Sequence, residues 1–210
     1  MKVSVIIAVK DGAATLGPAI RSALTQSAPP VEVVVADNGS RDGSATLAES
    51  FGPPVRVVRE ARPGPAAARR AGVAAARGDA YLFLDADDLL GPGALEALMQ
   101  ALSTAPDGLA TCGWMRWEPR GPAWGAAEPS CAPRRPWRGD LSNWLTGWYH
   151  PPCGVLWSRA AWARSGGYRA EARHNDDGDA MMRALAAGAP LARTGGACVY
   201  YRRAAPGAST

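Results

Sequence analysis

Short apolar runs alternate with amphipathic stretches through the first half of this chain, a rhythm that builds a parallel sheet covered on both faces by helices. Val3 to Val9 reads as the first buried strand. Thr15 is placed to cap a helix whose apolar positions Leu16, Ala19, Ile20, Ala23 and Leu24 share one face, with Pro18 in its tolerant first turn. Val31 to Ala36, Val55 to Val58 and Tyr81 to Leu84 are the next strands, separated by alanine-rich helical stretches near 44–50 and 65–76. Pro92 then opens a helix with the stripe Ala94, Leu95, Leu98, Met99 and Leu102. After about residue 104 the texture changes. Residues 113–162 hold all eight tryptophans among prolines and glycines, with little helical period before Ser158, and 117–139 reads as a loop. A helix near 177–187 and a strand near 197–202 close the pattern. The expectation is one α/β domain over 1–210, with a nucleotide-binding half (1–104) and a smaller half (105–210).

Composition narrows this only a little. A chain of 210 residues, 47% of them hydrophobic, buries one sizeable core. The net charge is +4 and the cations are almost all arginine, which suits phosphate contacts, but no groove-reading motif accompanies them and nucleic acid is not expected as a partner. Cys112, Cys131, Cys153 and Cys198 form no CxxC pair, which argues against a zinc ribbon or a disulfide framework and for a reducing, cytoplasmic setting. The first apolar run meets Asp11 too early for a signal peptide, and no run approaches the roughly 20 apolar residues of a membrane span, so membrane contact is expected to be peripheral.

The chemistry gathers where strands end. Three polar clusters occur there: Lys10-Asp11-Gly12, the octet Asp37 to Ser44, and Asp85-Ala86-Asp87-Asp88. The octet is equally well an Asx turn leading into a helix. In the third, three carboxylates follow an apolar strand, and their repulsion calls for a cation; hard, oxygen-liking Mg²⁺ or Mn²⁺ suits, often shared with substrate phosphates. A solvated acidic turn is the plainer alternative.

Taken in order, these segments resemble the family-2 inverting glycosyltransferases of GT-A fold. The match runs through Val3 to Gly12, Val33 to Ser40, Pro63 to Gly72 and Ala76 to Asp88, and more loosely through Gly166-Gly167-Tyr168, Asp176 to Asp179 and Arg183. The resemblance implies a GT-A domain whose second half binds the acceptor. It places Ala8, Val9, Asp37 and Asn38 at the nucleoside, Arg69 near the donor's pyrophosphate or base, and Asp85 and Ala86 near ribose and sugar. It makes Asp87 the ligand of a Mn²⁺ or Mg²⁺ ion, Asp177 the catalytic base, and Asp176 and Asp179 shapers of the acceptor site. The donor it implies is a nucleoside-diphosphate sugar, a UDP-sugar ahead of dTDP- or GDP-sugars, and the acceptor a saccharide or a lipid-linked sugar. Two departures stand out: Asn38 where many members carry a second aspartate, and alanine in Tyr201 to Gly207 where a histidine is common. The acidic first turn near 177 is otherwise a dipole cap.

Trp114, Trp117, Trp144, Trp148 and Trp157 either fill the smaller half or stack on acceptor sugars, Trp148 being the acceptor candidate; Arg134, Arg135 and Arg138 around Trp137 would then face a lipid-linked diphosphate or an anionic membrane. Two other classes fit parts of the pattern. A sugar-nucleotide-forming nucleotidyltransferase would show a glycine-rich phosphate loop after the first strand, of which Ala8 to Ala13 is a weak version. A non-catalytic sugar-nucleotide-binding scaffold would have no use for Asp85, Asp87 and Asp177 together.

Overall fold

In the computed structural model the described residues are 1–120, 123–128, 133–169 and 175–202; Cys131, His174 and most of the closing segment from Arg203 lie outside them. Four strands, β1 (Val3–Val9), β2 (Glu32–Asp37), β3 (Val55–Arg59) and β4 (Ala80–Phe83), pair in parallel in the order β3-β2-β1-β4. Both faces of β1 are apolar because both are covered. Val3, Val5, Ile7 and Val9 enter one core beside α1 (Ala13–Leu24) and α4 (Ala94–Ser103), while Ile6 enters a second core. That second core is roofed by α3 (Pro65–Ala75), α6 (Arg159–Ser165) and α7 (Asp176–Ala186).

Helix α3 lies hard against β1: a Cβ on Gly72 would collide with Ile6 Cγ2. The close approach brings Arg69, one turn earlier on the same face, down over the end of the sheet.

The parallel block does not end the sheet. It continues through β8 (Val155–Ser158), antiparallel to β4, and β6 (Leu109–Arg120), antiparallel to β8; β9 (Leu191–Arg202) then pairs parallel to β6 and the short β5 (Leu89–Leu90) antiparallel to β9, with β7 (Ala123–Ala127) hairpinned on β6. One mixed sheet therefore spans both halves of the chain. The stretch read as a loop over 117–139 begins as strand, and the closing strand starts at Leu191 rather than near 197. Strand β6 and the first half of β9 escaped the pattern because glycine and polar residues interrupt them, and their partners are distant in sequence.

Two local readings also change. Thr15 is not the cap of α1, which starts at Ala13 with Gly12 as N-cap, and Pro18 sits inside the helix rather than in its first turn. The reason is tertiary: the N–H of Ala13 donates to Asp42 Oδ2 and that of Gly12 to Ser44 Oγ, so the orphan donors are met from a neighbouring loop. Pro92 precedes α4, whose N-cap is Gly93. Of the remaining elements, α2 (Ser44–Glu49) matches its expected span, α5 (Asp140–Leu145) lies in the tryptophan-rich stretch, and Ser158 caps α6 by accepting from the Ala161 N–H at 3.0 Å.

Candidate active site

Because β1, β2 and β4 run in parallel, their carboxyl ends open at one edge, where α/β sheets bind ligands. The loop after β1 is laced to the octet after β2. Asp11 N–H donates to Ser40 Oγ at 3.0 Å, and Arg41 N–H donates to Asp11 Oδ1 at 2.7 Å, beside the two bonds that start α1. Ser40 N–H in turn donates to Asp37 Oδ1 at 3.3 Å, and Ser44 N–H donates to Asp42 Oδ1 at 3.0 Å, two residues on, so the octet does contain an Asx turn. Its polar residues are spent largely on building the edge. Asp37 itself is buried and accepts one of these loop bonds.

Above that edge a cavity of about 270 Å³ is lined by Ala8, Val9, Lys10, Asn38, Gly64, Pro65 and Ala68. Three residues expected at the nucleoside, Ala8, Val9 and Asn38, are gathered there. Asn38 does not point a free amide at a base. Its Nδ2 donates to the carbonyls of Glu60 and Arg62, at 2.9 and 2.7 Å, and its Oδ1 accepts from Gly64 N–H at 2.8 Å. It thereby pins the loop that forms the cavity's far wall. An Asn38→Asp substitution, which would restore the commoner family residue, puts an acceptor against two carbonyls; it is expected to lower stability by about 1–3 kcal/mol and weaken nucleotide binding together. Unchanged melting in the variant would show that the amide is not the clamp.

At the centre lies Arg69, buried and bonded to three carboxylates from two distant parts of the chain. Nη2 donates to Asp85 Oδ1 at 2.6 Å, and Nη1 to Asp176 Oδ2 at 2.9 Å and Asp177 Oδ1 at 3.3 Å. The ring of Tyr168 lies 5.4 Å from its guanidinium carbon. Burial works against the charge of Arg69, and Asp85 and its neighbours overrule it, holding its pKa well above the ordinary value. One guanidinium cannot balance three carboxylates, and the deficit falls unevenly. Desolvation also opposes ionisation of Asp176, but the hydrogen bond with Asp177 and the contact with Arg69 hold its pKa below the usual range. Asp177 is pushed up to about 7, by burial first and then by its hydrogen-bonded partner Asp176, with Arg69 opposing. With 34% of its side chain exposed, Asp177 is the member of the pair open to an incoming group. Asp176 and Asp177 stand in the first turn of α7, where the helix dipole also favours an anion.

The triplet after β4 is not one converging cage. Asp85 turns to Arg69, and Asp88 is fully buried, with Oδ1 accepting from Arg202 N–H at 2.7 Å and Oδ2 without a hydrogen-bond partner among the described residues. Among those residues no three His, Cys, Asp or Glu side chains are grouped to hold a metal ion. Asp87 has its pKa raised by burial and then by the charge of Asp85. A half-buried carboxylate held against its own kind fits a divalent ion that takes most of its ligands from a diphosphate. Ala86 packs toward the loop after β1: a Cβ on Gly12 would lie 3.6 Å from its own.

The remaining expected residues stand around this group. Asp179 is engaged by Arg183 at 2.7 Å and by Arg169 at 3.8 Å, and Arg183 also donates to the Gly167 carbonyl, so this pair braces the Gly166-Gly167 turn rather than facing the cavity. Trp148 is buried with Trp144 in the second core, its ring 5.0 Å from that of His150, and there it supplies bulk. His150, with both ring nitrogens unpartnered among the described residues, is lowered to about 4 by burial and stays neutral. Tyr168 was missed as a contributor to the Arg69 site, although the Gly-Gly-Tyr sequence before the acidic cluster marked it. Lys10 and Pro65 were missed as cavity walls.

Residues 4–164 match the sequence profile of the family described as glycosyl transferase family 2. An uncharacterized glycosyltransferase of Nostoc sp. is 37% identical over 109 residues, 50% of this chain and 34% of that protein. The succinoglycan biosynthesis protein ExoO of Rhizobium meliloti is 37% identical over 105 residues, 49% of this chain and 30% of that protein. The matched stretch thus spans about a third of these relatives. Among solved structures, S. aureus TarS 1-349 in complex with UDP-GlcNAc superposes with a TM-score of 0.76 at 17% identity, over 98% of this chain and 59% of that one. That likeness shows the shared GT-A fold.

Proposed function

Because the chain belongs to glycosyl transferase family 2, we propose that it moves one sugar from a nucleoside-diphosphate donor to an acceptor hydroxyl, with inversion, in polysaccharide, glycolipid or other glycoconjugate synthesis. The observation that carries the reading is Asp177, a carboxylic acid poised near neutrality beside the donor edge. Its carboxylate takes the acceptor's proton as the acceptor oxygen bonds to the anomeric carbon. The bond to the diphosphate breaks on the opposite face and its electron pair leaves with the phosphate. One base suffices for such a displacement.

The other residues prepare that step. The cavity walled by Val9, Lys10 and Pro65 takes the nucleoside, and Arg69 positions Asp177 while keeping a cation at the donor edge. Asp87, with Asp85 near, would hold Mn²⁺ or Mg²⁺ together with the donor phosphates; such an ion offsets the negative charge that grows on the departing diphosphate. A UDP-sugar is the first donor to try, since the TarS structure contains UDP-GlcNAc. A saccharide or lipid-linked acceptor and a cytoplasmic setting complete the reading, in keeping with the free thiols of Cys112, Cys153 and Cys198.

Calorimetric titration with UDP, GDP and dTDP, with and without Mn²⁺, tests the donor site. One diphosphate is expected to bind in a Mn²⁺-dependent manner, and Asp87→Ala to weaken that binding at least tenfold. Folded protein that binds none of the three would sink the proposal, and binding indifferent to both Mn²⁺ and Asp87 would remove the metal from it.

A further inference from the structure

A large aromatic ring held in water is costly, and this molecule holds one rigidly. Trp137 is 79% exposed, the most exposed large hydrophobic side chain among the described residues; Leu145 and Tyr149, also exposed, follow on the same segment. The ring is not on a loose loop. The turn beneath it, closed by Arg138 N–H donating to the Arg135 carbonyl, is clamped by the side chain of Asn143, which is 1% exposed. Asn143 Oδ1 accepts from Arg135 N–H at 2.7 Å, and Nδ2 lies at 3.0–3.1 Å from the carbonyls of Arg135, Arg138 and Gly139. A buried amide devoted to one surface turn fixes where Trp137 points.

The charge around the ring is predominantly positive. Asp140 is the acid here, and it is shared by Arg134 and Arg193, each at 2.9 Å. Arg135 and Arg138, on either side of Trp137, enter no ion pair among the described residues. Four arginines thus face one aspartate, a local excess of three positive charges beside an exposed indole. Tryptophan and arginine together suit the interface of a bilayer, where the ring lies among headgroups and each cation gains from anionic lipid. No helix among the described residues is long and apolar enough to cross a membrane, so the contact would be made from the surface.

We propose that the Arg135–Trp137–Arg138 turn docks this protein on an anionic membrane surface. The proposal rests on no part of the transferase reading: a chain that binds no nucleotide would still carry the turn.

Sedimentation of the purified chain with mixed phosphatidylcholine–phosphatidylglycerol vesicles and with pure phosphatidylcholine vesicles tests it. Binding is expected to the mixed vesicles alone and to weaken with salt. Neutralising both arginines (Arg135→Gln with Arg138→Gln) is expected to reduce it roughly 30-fold, about a factor of five for each. Brominated phosphatidylcholine in the mixed vesicles should quench part of the tryptophan emission of the parent chain and lose most of that quenching in Trp137→Ser. Both variants should melt like the parent, since the Asn143 clamp holds only backbone atoms of Arg135, Arg138 and Gly139. Failure of the parent to sediment with mixed vesicles, equal binding to pure phosphatidylcholine, or undiminished binding of the double variant would each overturn the proposal. Quenching that survives in Trp137→Ser would also overturn it by placing the contact elsewhere.

Discussion

Replacing Asp177 by asparagine is expected to cut sugar transfer by about 10²–10⁴-fold while leaving the binding of the nucleoside diphosphate within a few-fold of its parent value. Asparagine keeps the size of the side chain and an oxygen for Arg69, so the loss isolates the missing base. The pH dependence gives a second readout. Since the Asp177 carboxyl is pushed up to about 7, the parent should gain activity as pH rises through neutrality, as the acid gives up its proton. Stability moves the other way for this one group. A carboxyl with a folded pKa above its ordinary 3.8 binds its proton more tightly in the folded state, so its contribution falls as pH rises from about 4 to about 7. Asp177→Asn should therefore lose the neutral limb of the rate profile and flatten stability across that same window. A variant retaining a tenth or more of parental turnover would move the base to another group, Asp176 first.

The Arg69→Met variant is expected to be the most damaging to the fold of the site. It strips the shared cation from Asp85, Asp176 and Asp177 at once and leaves a buried aliphatic chain among carboxylates. Breaking one partner out of a buried ionic group usually costs about 3–5 kcal/mol, and the partial exposure of Asp85 and Asp177 lowers the expectation to roughly 2–3. The cost should depend on pH with a definite sign. Without Arg69 the pKa of Asp176, now held low, rises, so the deficit against the parent shrinks below about pH 4, where the acids are protonated, and is fully present at neutrality. Parallel melting curves from about pH 2 to pH 8 check this. A deficit that does not change with pH would make Arg69 a packing residue. Arg69→Lys should recover part of the stability but less of the turnover, since one ammonium cannot reproduce a planar fork that reaches three acids.

Much of this was legible because it is local. The strands β1 to β4 announce themselves as apolar runs, and the loops that follow them carry polar clusters simply because each strand must end at the sheet's edge. Asp177 and Arg69 could be named from the order of segments. Strand β6 and the first half of β9 could not be seen, since the pairing of β6 with β9, across some eighty residues, decides that glycine-interrupted stretches are extended. The start of α1 was misread for the same reason, its capping groups, Asp42 and Ser44, lying just before and at the start of α2.

The sequence by itself determined the alternation of strands and helices, the edge at which polar residues collect and the residue types available there, all of which follow from periodicity and from chain neighbours. Which groups meet was decided by the tertiary structure. Arg69 and Asp177 are 108 positions apart, and only the packing of α3 against β1 and of α7 over the second core brings them to 3.3 Å. Burial there, with Asp176 alongside, pushes the Asp177 carboxyl up to about 7 against the opposing charge of Arg69. The same logic committed Asn38 to a loop rather than a base and left Trp137 in water, since partners and solvent are assigned by the fold and not by the residue.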